Sequence, residues 1–138
     1  MNTDREEEIA RDHTVGEVYP EQALTEKVLE AAFAVHNALG AGFLEKVYAN
    51  ALALELRSNG LACEQEAPLR VKYKETIVGD YVADIVVEHR VLLELKACSA
   101  LDPVHEAQIM NYLRAGNLHV GLLMNFGRPK LQYRRFVV

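Results

Sequence analysis

Apolar residues recur at two different spacings along this chain, and the change from one to the other divides it. From Leu24 the run LTEKVLEAAFAVHNALG places Val28, Ala31, Ala32, Val35 and Leu39 on one helical face. Thr25 or a neighbour can cap this helix, and Gly40 fits its C-terminal stop. After a glycine-containing loop, LEKVYANALALELRSNG reads as a second helix that turns Val47, Ala51, Ala53 and Leu54 inward and ends at Gly60. Beyond Gly60 the period shortens. Segments near 62–66, 69–74, 78–88 and 91–97 are rich in Val, Ile, Leu and Tyr, with turn-like breaks between them, which predicts three or four strands. Asp102-Pro103 marks the start of a third helix, VHEAQIMNYLRAG, ended by Gly116. HVGLLMNF then reads as a buried strand, RPK as a turn and LQYRRFVV as a last strand. The predicted order is helix, helix, three or four strands, helix, strand, strand: a mixed α/β domain around one central sheet.

A chain of 138 residues is within the size of one domain, and no repeat or low-complexity linker divides it. Residues 1–20 have weak periodicity, many acids and a proline, so they are expected to form a flexible lead-in to a single domain over 21–138. Half the residues are hydrophobic and a quarter charged, which is ordinary globular composition. No apolar run approaches the roughly 18 residues of a spanning helix. The opening MNTDREEEIARD is acidic where a signal peptide is basic and then apolar. No membrane partner is expected, and cytoplasm is the expected location. Cys63 and Cys98 stand far apart and form no CxxC pair, so reduced thiols are expected rather than a disulfide. Two cysteines cannot by themselves hold a structural zinc or a four-cysteine iron–sulfur cluster. His13, His36, His89, His105 and His119 show no metal-ligand spacing, which disfavours a zinc enzyme.

The net charge of −5 is unevenly placed. Residues 1–30 carry nine acids against three bases, whereas 31–138 carry eleven against twelve. No acid follows Glu106, while Arg114, Arg128, Lys130, Arg134 and Arg135 are all basic. A polyanion responds to where charge lies more than to its sum, so these five are candidate nucleic-acid contacts. A solvated basic face is the competing reading.

Two short strands carry the chemistry. Asp84 is an acid set in the apolar segment VGDYVADIVVE, and ELK occupies 94–96 within VLLELKA. Residues two apart in a strand share a face, so Glu94 and Lys96 point one way and Leu93, Leu95 and Ala97 the other. The connection between the strands decides whether Asp84 meets them. A two-residue turn at His89-Arg90 sets Asp84 opposite Leu95, on the wrong face. A three-residue connection through Glu88-His89-Arg90, or a bulge, sets it opposite Glu94, and that is the prediction. Converging carboxylates repel unless a cation compensates. A hard divalent ion does so; it can lower the pKa of a bound water and polarise a phosphoryl oxygen, with Lys96 orienting the water or offsetting transition-state charge. The competing reading is a structural ion pair of Lys96 with Asp84 or Glu94. Glu45 and Tyr48 lie three apart on the second helix, and Gln108 and Tyr112 four apart on the third, with His105 on the Gln108 face. Glu45 could supply a third carboxylate, and Gln108 and Tyr112 could hold the lysine, a water or a phosphate.

At these residues the chain resembles the GxxExxY protein family, which is placed in the PD-(D/E)XK nuclease superfamily. GFLEKVY at 42–48 matches the naming motif, and VHNALGAGFLEKVYANAL, VGDYVADIVVE, LELKA, HEAQIMNYLR and GLLMNFG extend the resemblance over most of residues 22–136. Gln108-x3-Tyr112 is similar to the QxxxY motif of the RecB-type branch. The resemblance implies an αβββαβ core, with Asp84, Glu94 and Glu45 as ligands of Mg2+ or Mn2+, Lys96 as the catalytic lysine, and Gln108 and Tyr112 as supporting residues. It implies a metal-dependent nuclease acting on DNA or, less favoured, RNA. The cluster cysteines of some relatives are absent, so no iron–sulfur cluster is expected, and no attached recognition domain is expected either. Two other readings stay open: a catalytically silent binding module for nucleic acid or a protein, and a phosphodiesterase for small nucleotides. A core this small offers little surface to grip a duplex, so a homodimer is expected.

Overall fold

The computed structural model describes residues 20–138. The expected acidic lead-in falls almost wholly on residues 1–19, outside the described residues. The elements are α1 (Gln22–Leu39), α2 (Glu45–Ser58), β1 (Cys63–Tyr73), β2 (Thr76–Val87), β3 (Val91–Lys96), α3 (Pro103–Gly116), β4 (Val120–Asn125) and β5 (Gln132–Val137). The strands lie side by side in the order β1-β2-β3-β4-β5. β3 and β4 are parallel, with α3 as their crossover, and the other neighbours are antiparallel. A mixed sheet flanked by helices is the α/β architecture that the sequence predicts.

Two apolar layers hold the sheet. On one face Val91, Leu93 and Leu95 of β3 and Val120, Leu122 and Met124 of β4 pack with α1 and α2. On the other, Leu92 and Leu123 pack with Ile109 and Leu113 of α3. Gly121 admits α3 to this face: a Cβ there would stand 3.0 Å from Ile109 Cδ1.

Local chemistry moves several details away from expectation. α1 begins before Thr25, whose Oγ1 donates to Gln22 O (3.0 Å) inside the first turn instead of capping it. Its end is as expected, with Gly40 at φ 70° donating to His36 O (2.8 Å). α2 buries Tyr48, Ala49, Leu52, Ala53 and Leu56, so of the four residues expected inward only Ala53 is buried. Val47 and Leu54 are 38% and 68% exposed. Tyr48 causes this. Its ring stacks on Phe126 (4.8 Å), and its hydroxyl donates to Gly40 O (2.5 Å) and accepts from the Phe43 N–H (3.2 Å). With its polar end satisfied by backbone, the large ring takes the core position that a Val47-centred face would have held.

β1 is one strand where a break at Ala67-Pro68 is expected. It is a sheet edge, where a proline's missing N–H is tolerated. Along the β1–β2 hairpin the buried face changes sides. Ile85 and Val87 belong to the α1–α2 layer, but Ala83, two residues before Ile85, belongs to the α3 layer with Ala67 and Leu69. Alternation therefore slips at Asp84 and at Glu66 opposite it, and Glu66 takes a left-handed φ of 53°.

Candidate active site

The slip is where the candidate residues gather. β2 and β3 pair through Ile85↔Leu93, Val86↔Leu92 and Val87↔Val91, which leaves Glu88-His89-Arg90 as a three-residue connection. Glu88 and His89 adopt φ of 53° and 57°, and the Arg90 N–H donates to Val87 O (2.9 Å). The register that this sets brings Asp84 across from Glu94, as expected. There the ladder is closed by side chains: the Asp84 N–H donates to Glu94 Oε1 (3.0 Å), and the Leu95 N–H donates to Asp84 Oδ2 (2.7 Å). Glu94 and Lys96 point away from the Leu93, Leu95 and Ala97 face, again as expected.

Glu94 is only 4% exposed, a buried carboxylate beside a half-buried one. The other buried polar residues have ordinary protein partners: Thr25 bonds Gln22 O, His36 bonds Arg128 O (2.9 Å), and Asn125 bonds Cys98 and Gln132. Burial raises the Glu94 pKa to about 8, with Asp84 adding to the rise. Burial also raises that of Asp84, against the opposing Leu95 amide and Lys96. The structural ion pair weighed against a functional site does not form: among the described residues no ion pair within 4.0 Å joins Lys96 to either acid.

Lys96 turns toward α3. Its ammonium donates to Gln108 Oε1 (3.4 Å), and Gln108 Nε2 donates to the Tyr112 hydroxyl (2.9 Å). The helical spacing of Gln108 and Tyr112 thus builds a line that steers the lysine. His105 is not part of it: its Nδ1 accepts from the Asp102 N–H (3.1 Å) and caps the start of α3.

Glu45, in the first turn of α2, lines a cleft of about 230 Å3 with Asp84, Lys46, Gln65 and Glu66. Lys46 is held there by Glu66 at 2.7 Å. Neither Lys46 nor Glu66 was singled out by sequence; the signal for Lys46 was its place beside Glu45, and Glu66 had none. Asp84 and Glu94 each give one oxygen to a backbone N–H. The other oxygen of each has no protein donor among the described residues, and with Glu45 near Asp84 this acid set suits a hard divalent ion. Among the described residues no three metal-ligating side chains are already drawn together around one point.

The five basic candidates are dispersed. Arg114 lines a groove between α3 and the outer β1–β2 hairpin. Arg134 bonds Glu106 (2.6 Å) and lies over the Phe136 ring. Arg128 donates to Ser99 O (3.1 Å) and Arg135 to Pro20 O, while Lys130 is exposed. Cys63 and Cys98 are free thiols, and no described helix is long and apolar enough to cross a membrane.

A family model described as the PD-(D/E)XK nuclease superfamily matches residues 22–136, and the chain belongs to that superfamily. Membership supports a nuclease-like function and, since such nucleases generally use divalent metals, a metal requirement of that general kind. The crystal structure of SSO0001 is similar in fold, with a TM-score of 0.55 and 14% identity over 99% of this chain and 77% of that one. No curated protein matches the chain.

Proposed function

We propose that the protein is a Mg2+- or Mn2+-dependent nuclease that hydrolyses phosphodiester bonds in DNA, with RNA the less favoured substrate. One observation carries this reading: Glu94, 4% exposed, faces Asp84 with no cation in ion-pair reach among the described residues. Such a pair is costly unless a cation joins it. Asp84, Glu94 and Glu45 would hold the ion, which when bound supplies a water of lowered pKa and a polarised phosphoryl oxygen. Lys96, steered by Gln108 and Tyr112, positions the attacking water and offsets charge on the phosphoryl group. GFLEKVY and Gln108-x3-Tyr112 support placement in the GxxExxY family and near the RecB-type branch. Arg114, Arg128, Lys130, Arg134 and Arg135 belong to the proposal as phosphate contacts. So does a homodimer, which sedimentation equilibrium tests: monomer alone at high concentration removes it.

The test is calorimetric titration of Mn2+ and Mg2+ into wild type and the Asp84→Ala/Glu94→Ala variant, with both incubated on single-stranded, duplex and branched DNA. Metal binding and cleavage that vanish together in the variant are the expected result. A wild type that binds no metal and cuts nothing leaves a binding module with a nuclease fold.

A further inference from the structure

A groove that shares only Arg114 with the residues assigned above lies on the α3 side of the sheet. The outer β1–β2 hairpin and α3 enclose this groove of about 450 Å3, lined by Arg70, Lys72, Tyr81, Asn111 and Arg114 among others. Tyr81 is 43% exposed although its ring lies 5.3 Å from that of Tyr112, tilted by 36°. Tyr112 in turn accepts the hydrogen bond of Gln108, which receives the Lys96 ammonium. Contacting side chains therefore link the exposed Tyr81 ring in the groove to Lys96. Among the described residues the groove's one lining cation with an acidic partner is Arg70, which faces Asp80 at 3.6 Å across an exposed pair worth little. Lys72 and Arg114 have no acidic partner within 4.0 Å among the described residues.

We propose that this groove is the binding path of a single-stranded nucleic acid, in which Tyr81 stacks a base and Lys72 and Arg114 meet the flanking phosphates. The inference takes its direction from the proposed nuclease site and names the form of substrate that would reach it. The exposed ring selects the form. Only an unpaired base offers a free π-face, and bases inside a duplex are already stacked on both sides. Cations spaced around an aromatic ring track a backbone without reading sequence.

The test measures fluorescence anisotropy of a labelled oligothymidylate, its ribo-equivalent and a blunt duplex in EDTA, where binding is separated from cleavage. Wild type is expected to prefer the single strands. Tyr81→Ala should weaken single-strand binding about tenfold, from the usual worth of one stacked base. Tyr81→Leu, which keeps apolar bulk against Tyr112, should lose as much, whereas Tyr81→Phe should bind within about twofold of wild type. Lys72→Ala and Arg114→Ala should each lower the salt slope by about 0.7. Equal binding by Tyr81→Ala, a preference for duplex, or no single-strand binding by wild type overturns the proposal. The Mn2+ titration separates the two readings. Metal binding and cleavage with Tyr81-independent strand affinity removes the groove alone; Tyr81-dependent affinity without metal binding removes the nuclease alone.

Discussion

Asp84 and Glu94 face each other across β2 and β3, and each gives a carboxylate oxygen to backbone on the other's strand: Glu94 Oε1 to the Asp84 N–H, and Asp84 Oδ2 to the Leu95 N–H. The exchange ends the ladder between these strands and fixes both side chains at the point where β2 leaves β3. Backbone donors are weak compensation for two adjacent acids, so the pair stays protonated more readily than either would in water.

That gives a pH dependence with a definite sign. The folded pKa of Glu94, about 8, lies above its ordinary value of 4.5, so the folded state holds the proton longer than the unfolded chain. Stability from this group is full below pH 4.5 and is lost as pH rises toward 8. The loss is about 5 kcal/mol from the shift alone. Chemical denaturation from pH 5 to 9 should show it in the metal-free protein. Glu94→Gln should remove it. Mn2+ should restore wild type at high pH and bind more tightly there, because its ligands must be deprotonated.

Lys96→Ala should lower the single-turnover cleavage rate by about 10²–10³, the usual loss when a transition-state charge partner is removed, while Mn2+ affinity stays near wild type. Gln108→Ala should cost less, about tenfold, because the lysine keeps its charge and loses only its guide. Tyr112→Phe removes the acceptor for Gln108 and should cost less again. A Gln108→Ala variant as slow as Lys96→Ala would mean that the amide itself contacts substrate.

Asn125 and Gly127 hold the chain beyond Lys96. The Asn125 amide, fully buried, accepts from the N–H groups of Cys98 and Gly127 and donates to Cys98 O and Gln132 Oε1. Asn125→Ala should destabilise by about 3 kcal/mol or more, since several buried backbone groups lose partners. A Cβ on Gly127 would stand 2.7 Å from the Ala97 carbonyl carbon and nearer still to Cys98 backbone, so Gly127→Ala should be comparably costly. Urea unfolding midpoints check both.

The β2–β3 connection carries strain that can be relieved. His89 sits at φ 57°, where a side chain costs about 1 kcal/mol and glycine does not. His89→Gly should raise stability by about that amount and leave metal binding unchanged. A fall in stability would mean that the imidazole makes contacts outweighing the strain.

The residues that could be read from sequence were those whose position follows from period alone. Two-residue alternation fixed the faces of Glu94, Lys96 and Leu95, and the need to oppose two acids fixed the length of the turn. The inward face of α2 departs from the apolar spacing because a tyrosine whose hydroxyl meets Gly40 and Phe43 outranks valine for the core, and those partners lie in a loop. The continuity of β1 through Pro68 depends on its being an edge, which is a property of the whole sheet. Helical spacing puts His105 on the Gln108 face, but spacing does not distinguish a side chain facing a cleft from one folded back to cap its own helix. The slip at Glu66 and Asp84 rests on a backbone angle that no residue type at 66 announces.

That slip divides the β1–β2 hairpin into two halves with different allegiances. The half ending in Ile85 and Val87 is bound to the α1–α2 layer and, through β3, to the middle of the sheet. The outer half, with Leu69 and Ala83, leans on α3 and pairs with no third strand among the described residues. Local opening follows such seams. Amide protons from Leu69 to Val82 should exchange with solvent well before those of β3 and β4, so the hairpin tip can swing while the acids at its hinge keep their places.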